Sequence, residues 1–114
     1  MKCFKCNKEN FDEWKKGVTY LGIDNHHNPP EEISRFLKEE WKGELYPLCR
    51  KCHENLHLKI TKILKKYSNA PKYNSDYWLM MKSTTAKIKE AQKEIYDFTK
   101  RWIKEENGKE LKQK

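Results

Sequence analysis

Two Cys-x2-Cys pairs, Cys3/Cys6 and Cys49/Cys52, constrain this chain more than any other feature. One such knuckle points two thiolates at a single ion, and two knuckles complete a tetrahedral four-thiolate zinc site. Disulfides and free thiols are the alternatives. No apolar leader follows Met1, so an intracellular, cytoplasmic setting is expected, where thiols stay reduced and this spacing favours metal. Residues 7–48 separate the knuckles. That is more chain than a compact zinc ribbon holds, so a subdomain must loop out between them. A metal staple also suits the composition. The 114 residues are 36% hydrophobic and 37% charged, with a mean hydropathy of −1.14, which is poor in core material for one domain. No stretch reaches the ~20 apolar residues of a membrane span.

All four histidines also fall in pairs, His26-His27 and His53-x3-His57. Histidines four apart on a helix lie on one face, the geometry of a two-imidazole clamp. Cys52 and His53 are neighbours, and on a helix their side chains diverge by about 100°. Two metal sites back to back are therefore expected, one all-cysteine and one histidine-rich. The alternative is that the histidines are structural.

The strand signal is Val18-Thr19-Tyr20-Leu21-Gly22-Ile23-Asp24, running into His26-His27. Pro30-Glu31 opens a helix over 31–41, with Ile33, Phe36, Leu37 and Trp41 on its apolar stripe and Gly43 breaking it. Glu44–Leu48 supplies a second short strand. A helix from Cys49–Lys51 to Tyr67 carries His53 and His57, then Leu56, Ile60, Ile63, Leu64 and Tyr67 on one stripe. Residues 68–76 read as a loop, and Tyr77-Trp78-Leu79-Met80-Met81 opens another helical stretch. Beyond Thr85, Ile88, Ala91, Ile95, Phe98 and Trp102 alternate steps of three and four, a stripe expected to pack on the 50–67 helix. Asn107-Gly108 reads as a stop, with a disordered tail after it.

In order, the motifs are Cys3-x2-Cys6, then Asp24-Asn25-His26-His27-Asn28-Pro29-Pro30, then Leu45-Tyr46-Pro47-Leu48-Cys49-x2-Cys52-His53-x3-His57. This constellation, covering residues 1–57, resembles the HNH endonuclease family in its version with a four-cysteine zinc site. The resemblance implies an α+β, mainly helical chain: a ββα-metal (HNH, His-Me finger) core stapled by zinc, with C-terminal helices packed on it. In the family a metal-binding residue precedes the general-base histidine, with proline three positions after the base. His26, His27 and Pro30 occupy those places. The residue after the last cysteine and the one four beyond also bind metal, matching His53 and His57. One position departs from the pattern. The family's middle asparagine, which orients the loop bearing the base, falls on Glu44, and an ionised carboxylate accepts an N–H but cannot donate.

The implied chemistry is hydrolysis of DNA phosphodiester bonds. A divalent ion held by His26, His53 and His57 leaves positions open for phosphate oxygens, and neutral His27 can take a proton from water. Adjacent residues of an extended segment point opposite ways, so one ligand and one base is the expected division between His26 and His27. Imidazoles suit Zn or Ni as well as Mg or Mn, and the ion's identity stays open. A second reading is an HNH-like zinc module that binds DNA or a protein partner without cutting. A third is a zinc metalloprotease, because His53-Glu54-Asn55-Leu56-His57 matches H-E-x-x-H with Glu54 as base. The protease needs a third ligand downstream, and Asp76 is the only acid between 58 and 89.

The formal charge is +8, and it is unevenly placed. Residues 1–57 are net 0 and residues 58–114 carry all of it, which points to a polyanion, with DNA first in line. Lys59, Lys62, Lys65 and Lys66, off the apolar stripe, are the candidate phosphate contacts. Tyr73, Tyr77 and Trp78 either join the core or touch nucleic acid. The expected organisation is a zinc domain over 1–67, a basic helical extension over 68–106 and a tail over 107–114. The C-terminal helices could also dock a protein partner or a second copy.

Overall fold

The computed structural model describes residues 3–6 and 23–112. The expected strand over 18–24 lies largely outside them; what is described is β1, Ile23–Asn28. It is followed by α1 (Glu31–Leu37), β2 (Glu44–Cys49), α2 (Arg50–Tyr67), α3 (Asp76–Met81) and α4 (Thr85–Lys112). The chain is α+β and mainly helical, and none of the described helices is long and apolar enough to cross a membrane.

β1 and β2 pair antiparallel, with His26 opposite Tyr46, His27 opposite Leu45 and Asn28 opposite Glu44. The period of two then sorts the residues onto faces. His26, Asn28 and Leu48 are turned inward and fully buried, while Leu45 is 48% exposed on the face that His27 shares. Pro47 fits in β2 because, among the described residues, the sheet has two strands and each keeps a free edge. Its carbonyl accepts the Phe4 amide at 2.8 Å, tying the first knuckle to the sheet.

β2 runs directly into α2, whose Leu56, Ile60, Ile63 and Leu64 are buried. The α4 stripe meets them as expected, with Ile88, Ala91, Ile95 and Trp102 buried in the same core. Lys5 joins from the other end of the chain. Its ammonium lies 4.1 Å from the Trp102 ring centre and donates to the Trp102 carbonyl, so a residue of the first knuckle is pinned on α4. Asn28 Nδ2 likewise donates to the Tyr96 carbonyl at 3.2 Å, joining β1 to α4.

Three boundaries differ from expectation. α1 stops at Leu37 because Lys38 turns left-handed (φ 58°), and Glu39 N–H closes on the Ser34 carbonyl at 2.9 Å. Trp41 is thereby released from the helix it was expected to extend. Gly43 is therefore not the breaker. A Cβ there would lie 2.2 Å from the Asn28 carbonyl oxygen and 2.9 Å from Pro29 Cδ, so the position demands a hydrogen. At the far end α4 runs through Asn107-Gly108 to Lys112. Two weak helix formers cost a long helix about 1–2 kcal/mol, less than is needed to end it among Lys, Glu and Leu neighbours.

Gly43→Ala should destabilise the protein by ~1–3 kcal/mol, the usual cost of forcing an extra carbon into a filled space. Denaturant titration of the variant reads this directly. An unchanged midpoint would show that the backbone at Asn28-Pro29 can retreat.

Candidate metal centres

The sequence brings two donor sets together at the junction of β2 and α2. Cys3 and Cys6 lie in the N-terminal turn, Cys49 ends β2 and Cys52 opens α2. One donor atom from each lies within 4.8 Å of the others. None of the four forms a disulfide, and Cys6 Sγ is 3.8 Å from Cys49 Sγ, far beyond an S–S bond. Tetrahedral zinc with bonds of about 2.3 Å would separate its sulfurs by about 3.8 Å. The thiols are also electrostatically frustrated as they stand. Burial, then the neighbouring thiols Cys49, Cys3 and Cys6, raise Cys52 far above an ordinary thiol. Burial raises Cys3 as well, but the backbone at Cys49, Cys6 and Lys5 outweighs it, and the net shift is downward. A cation is the group that resolves such crowding, so the residues fit a structural metal such as zinc.

On the other side of α2, His53 and His57 stand one turn apart with their Nε2 atoms 3.0 Å from each other. His26 meets them from β1, with ring centres 5.2 Å from His53 and 5.3 Å from His57. The three form a second donor set. His26 is 2% exposed, and its Nε2 is a buried atom with no hydrogen-bond partner. An orphaned imidazole nitrogen on a ring that shares one donor set with two others is the observation that fits a metal here. Asp24 Oδ2 sits 3.7 Å from His53 Nδ1, on the ring edge away from the donor set, where a carboxylate can orient a metal-bound histidine. Asp24, Arg50, His53, Glu54, His57 and Leu58 line an open cleft over this centre.

Burial, then the charges of His57, His53 and His27, push His26 down to about 3. His57 is lowered by burial and by His53, against an opposing pull from Asp76. Both are therefore held neutral, the form that binds metal. The stability consequence for metal-free histidines is definite in sign. Between about pH 3 and 6.5 the unfolded chain binds a proton at residue 26 that the folded chain refuses, so stability falls as pH drops through that window. Urea titrations at pH 7 and pH 5, with the histidine set alone stripped, should show a lower midpoint at pH 5. His26→Leu should flatten the difference.

His27, next along the strand, stands apart from the donor set. Its ring packs edge-on against Trp41 at 4.9 Å, and its Nε2 is 3.8 Å from Glu31 Oε1. Trp41 Nε1 donates to the Pro29 carbonyl at 2.6 Å. Trp41 is thus the side chain that grips the His27–Pro30 segment, a role sequence reasoning missed by placing it on the α1 stripe. Glu44, expected to orient that segment, lies opposite Asn28 but gives its carboxylate to the Tyr46 hydroxyl. Glu54 accepts from Arg50 at 3.0 Å.

The four candidate lysines divide. Lys59 and Lys62 are exposed, Lys65 donates to Asn74 Oδ1 at 2.7 Å, and Lys66 pairs with Glu94. Compared with known proteins, the chain matches no family model, no curated protein and no solved structure.

Proposed function

We propose that this chain is a metal-dependent endonuclease of the HNH type, built on a ββα-metal core and acting on DNA. The observation that carries the reading is the meeting of His26 with His53 and His57 in one donor set, while the next residue, His27, is turned away from it as a separate imidazole. A strand supplies one ligand and a helix the other two, with the base beside the strand ligand. The resemblance in residues 1–57 implies that same division of labour. When bound, a divalent ion supplies neutralisation of the charge that builds on the phosphate and the departing oxygen.

The chain's own residues would do the rest. His27 takes the proton from the attacking water, with Glu31 Oε1 3.8 Å from its Nε2. Trp41 holds the base in place through packing and through Pro29. His26 stays neutral because it is buried. Zinc at Cys3, Cys6, Cys49 and Cys52 keeps β2 and the start of α2 in register, so that His53 and His57 stay at fixed distance from β1. In this reading the exposed Lys59 and Lys62 contact phosphates.

The alternative, a zinc module that binds DNA or a protein without cutting it, draws on the Glu44 carboxylate being engaged by Tyr46 where the family uses an asparagine on the loop. The protease reading is weaker. Its Glu54 is tied to Arg50, and the third ligand comes from a strand upstream rather than an acid downstream. Supercoiled plasmid incubated with the protein and Mg, Mn, Zn or Ni separates these readings. Nicking supports the nuclease, and intact plasmid with every metal supports the binding module.

A further inference from the structure

On α3 and the loop before it, Tyr73, Tyr77, Trp78 and Met81 are between 37% and 53% exposed. Their rings meet in series. Tyr73 stacks on Trp78 at 6.2 Å and 28°, Trp78 meets Tyr77 edge-on at 5.6 Å, and Tyr77 meets Phe36 of α1 at 5.9 Å. A contiguous aromatic face left in water marks a binding surface. What surrounds it decides the partner. Residues 58–82 hold six lysines against a single acid, Asp76. That acid is already engaged, accepting the Thr61 hydroxyl at 2.7 Å. Lys62, Lys72 and Lys82 are exposed, and Lys65 reaches Asn74 beside Tyr73. Protein interfaces are depleted in lysine, whereas a nucleic-acid strand needs cations for its phosphates and flat rings for its bases.

The geometry points to this face as a stacking platform for the unpaired bases of single-stranded nucleic acid, with Tyr73 and Trp78 receiving bases and Lys62 and Lys72 tracking the phosphates. Its position relates it to the histidine centre. The Thr61 hydroxyl donates toward both the His57 carbonyl, at 3.0 Å, and Asp76, so α3 begins one helical turn from a metal-donor residue. The inference deepens the nuclease reading by naming its substrate as nucleic acid with unpaired bases, although binding can be read without any cleavage.

The test is fluorescence anisotropy with the full chain and no added divalent metal, using labelled oligothymidylate of about 12 nucleotides beside a hairpin duplex. Trp78→Ala should weaken oligothymidylate binding about tenfold or more, the usual effect of losing one stacked base. Its salt dependence should stay unchanged, because no charge is lost. Duplex affinity should stay within about twofold, and Trp78→Phe should restore most of the loss. Tyr73→Ala, also at an exposed site, should move affinity the same way, with circular dichroism showing both variants folded. Unchanged oligothymidylate affinity would overturn the proposal, as would an equal loss for duplex. So would a wild-type dimer that Trp78→Ala turns to monomer without altering oligonucleotide binding, since the face would then join copies of the chain. The nicking assay is read on wild-type protein with metal and this one on binding without metal, so failure here and failure of the nuclease reading are separately visible.

Discussion

Stripping the ion from the four thiolates should unfold the junction of β2 and α2, and with it the shared core. Cys3 is fully buried and Cys49 is 5% exposed, in a cluster that also contains Leu48, Leu56 and Ile60. The N-terminal turn is attached to the rest by the Phe4 amide on Pro47 and by Lys5 on Trp102, so losing the knuckle also loosens α4. Structural zinc contributes about 10–16 kcal/mol at such sites, as much as or more than the whole net stability of a small domain. The expected result is about one tightly held zinc per chain by elemental analysis. Near-ultraviolet circular dichroism should collapse once a strong chelator removes it, and Cys52→Ser should behave as the stripped protein does. A weak chelator, acting first on the histidine centre, should leave the spectrum native. A metal-free chain with a native spectrum would contradict this.

His27→Ala should leave fold, both metals and DNA binding in place while reducing the cleavage rate by about 10²–10⁴-fold, the usual contribution of a positioned base. His26→Ala, His53→Ala and His57→Ala should also lose activity, but through metal affinity. Each removes one of three donors, so excess metal should restore part of the rate. Trp41→Phe separates positioning from chemistry. It keeps a ring against His27 and removes the bond to the Pro29 carbonyl, so kcat should fall with KM and metal affinity unchanged. Glu54→Gln should have little effect on DNA cleavage, because that carboxylate is engaged with Arg50.

What was legible in the sequence was periodic or paired. The stripes of α2 and α4 stand out because both helices are long enough for steps of three and four to repeat, and the same residues are buried in the structure. The cysteine and histidine pairs were legible because ligand spacing is local, and divergence by one residue on a helix already separates Cys52 from His53. Boundaries that rest on one backbone angle were not legible. Lys38 takes a left-handed turn with no glycine to announce it, so Trp41 was assigned to a helix that had already ended. Gly43 signals a break in sequence, yet its role is the close approach of the Asn28 carbonyl. Contacts between distant segments, such as Lys5 on Trp102 and Asn28 on Tyr96, leave no local pattern at all. Lys65 and Lys66 looked like free cations on a helix face until Asn74 and Glu94 were seen beside them.

The central claim is that His26, His53 and His57 hold a metal while His27 serves as the base. The most direct measurement is the nicking rate of supercoiled plasmid by wild type, His27→Ala and Glu54→Gln, compared at equal metal occupancy of the histidine centre. The account predicts nicking by wild type and Glu54→Gln at similar rates, and a loss of about 10²–10⁴-fold in His27→Ala that no excess of metal restores. Full activity in His27→Ala, or loss in Glu54→Gln instead, would contradict it and move the base to the cleft above the two helix histidines.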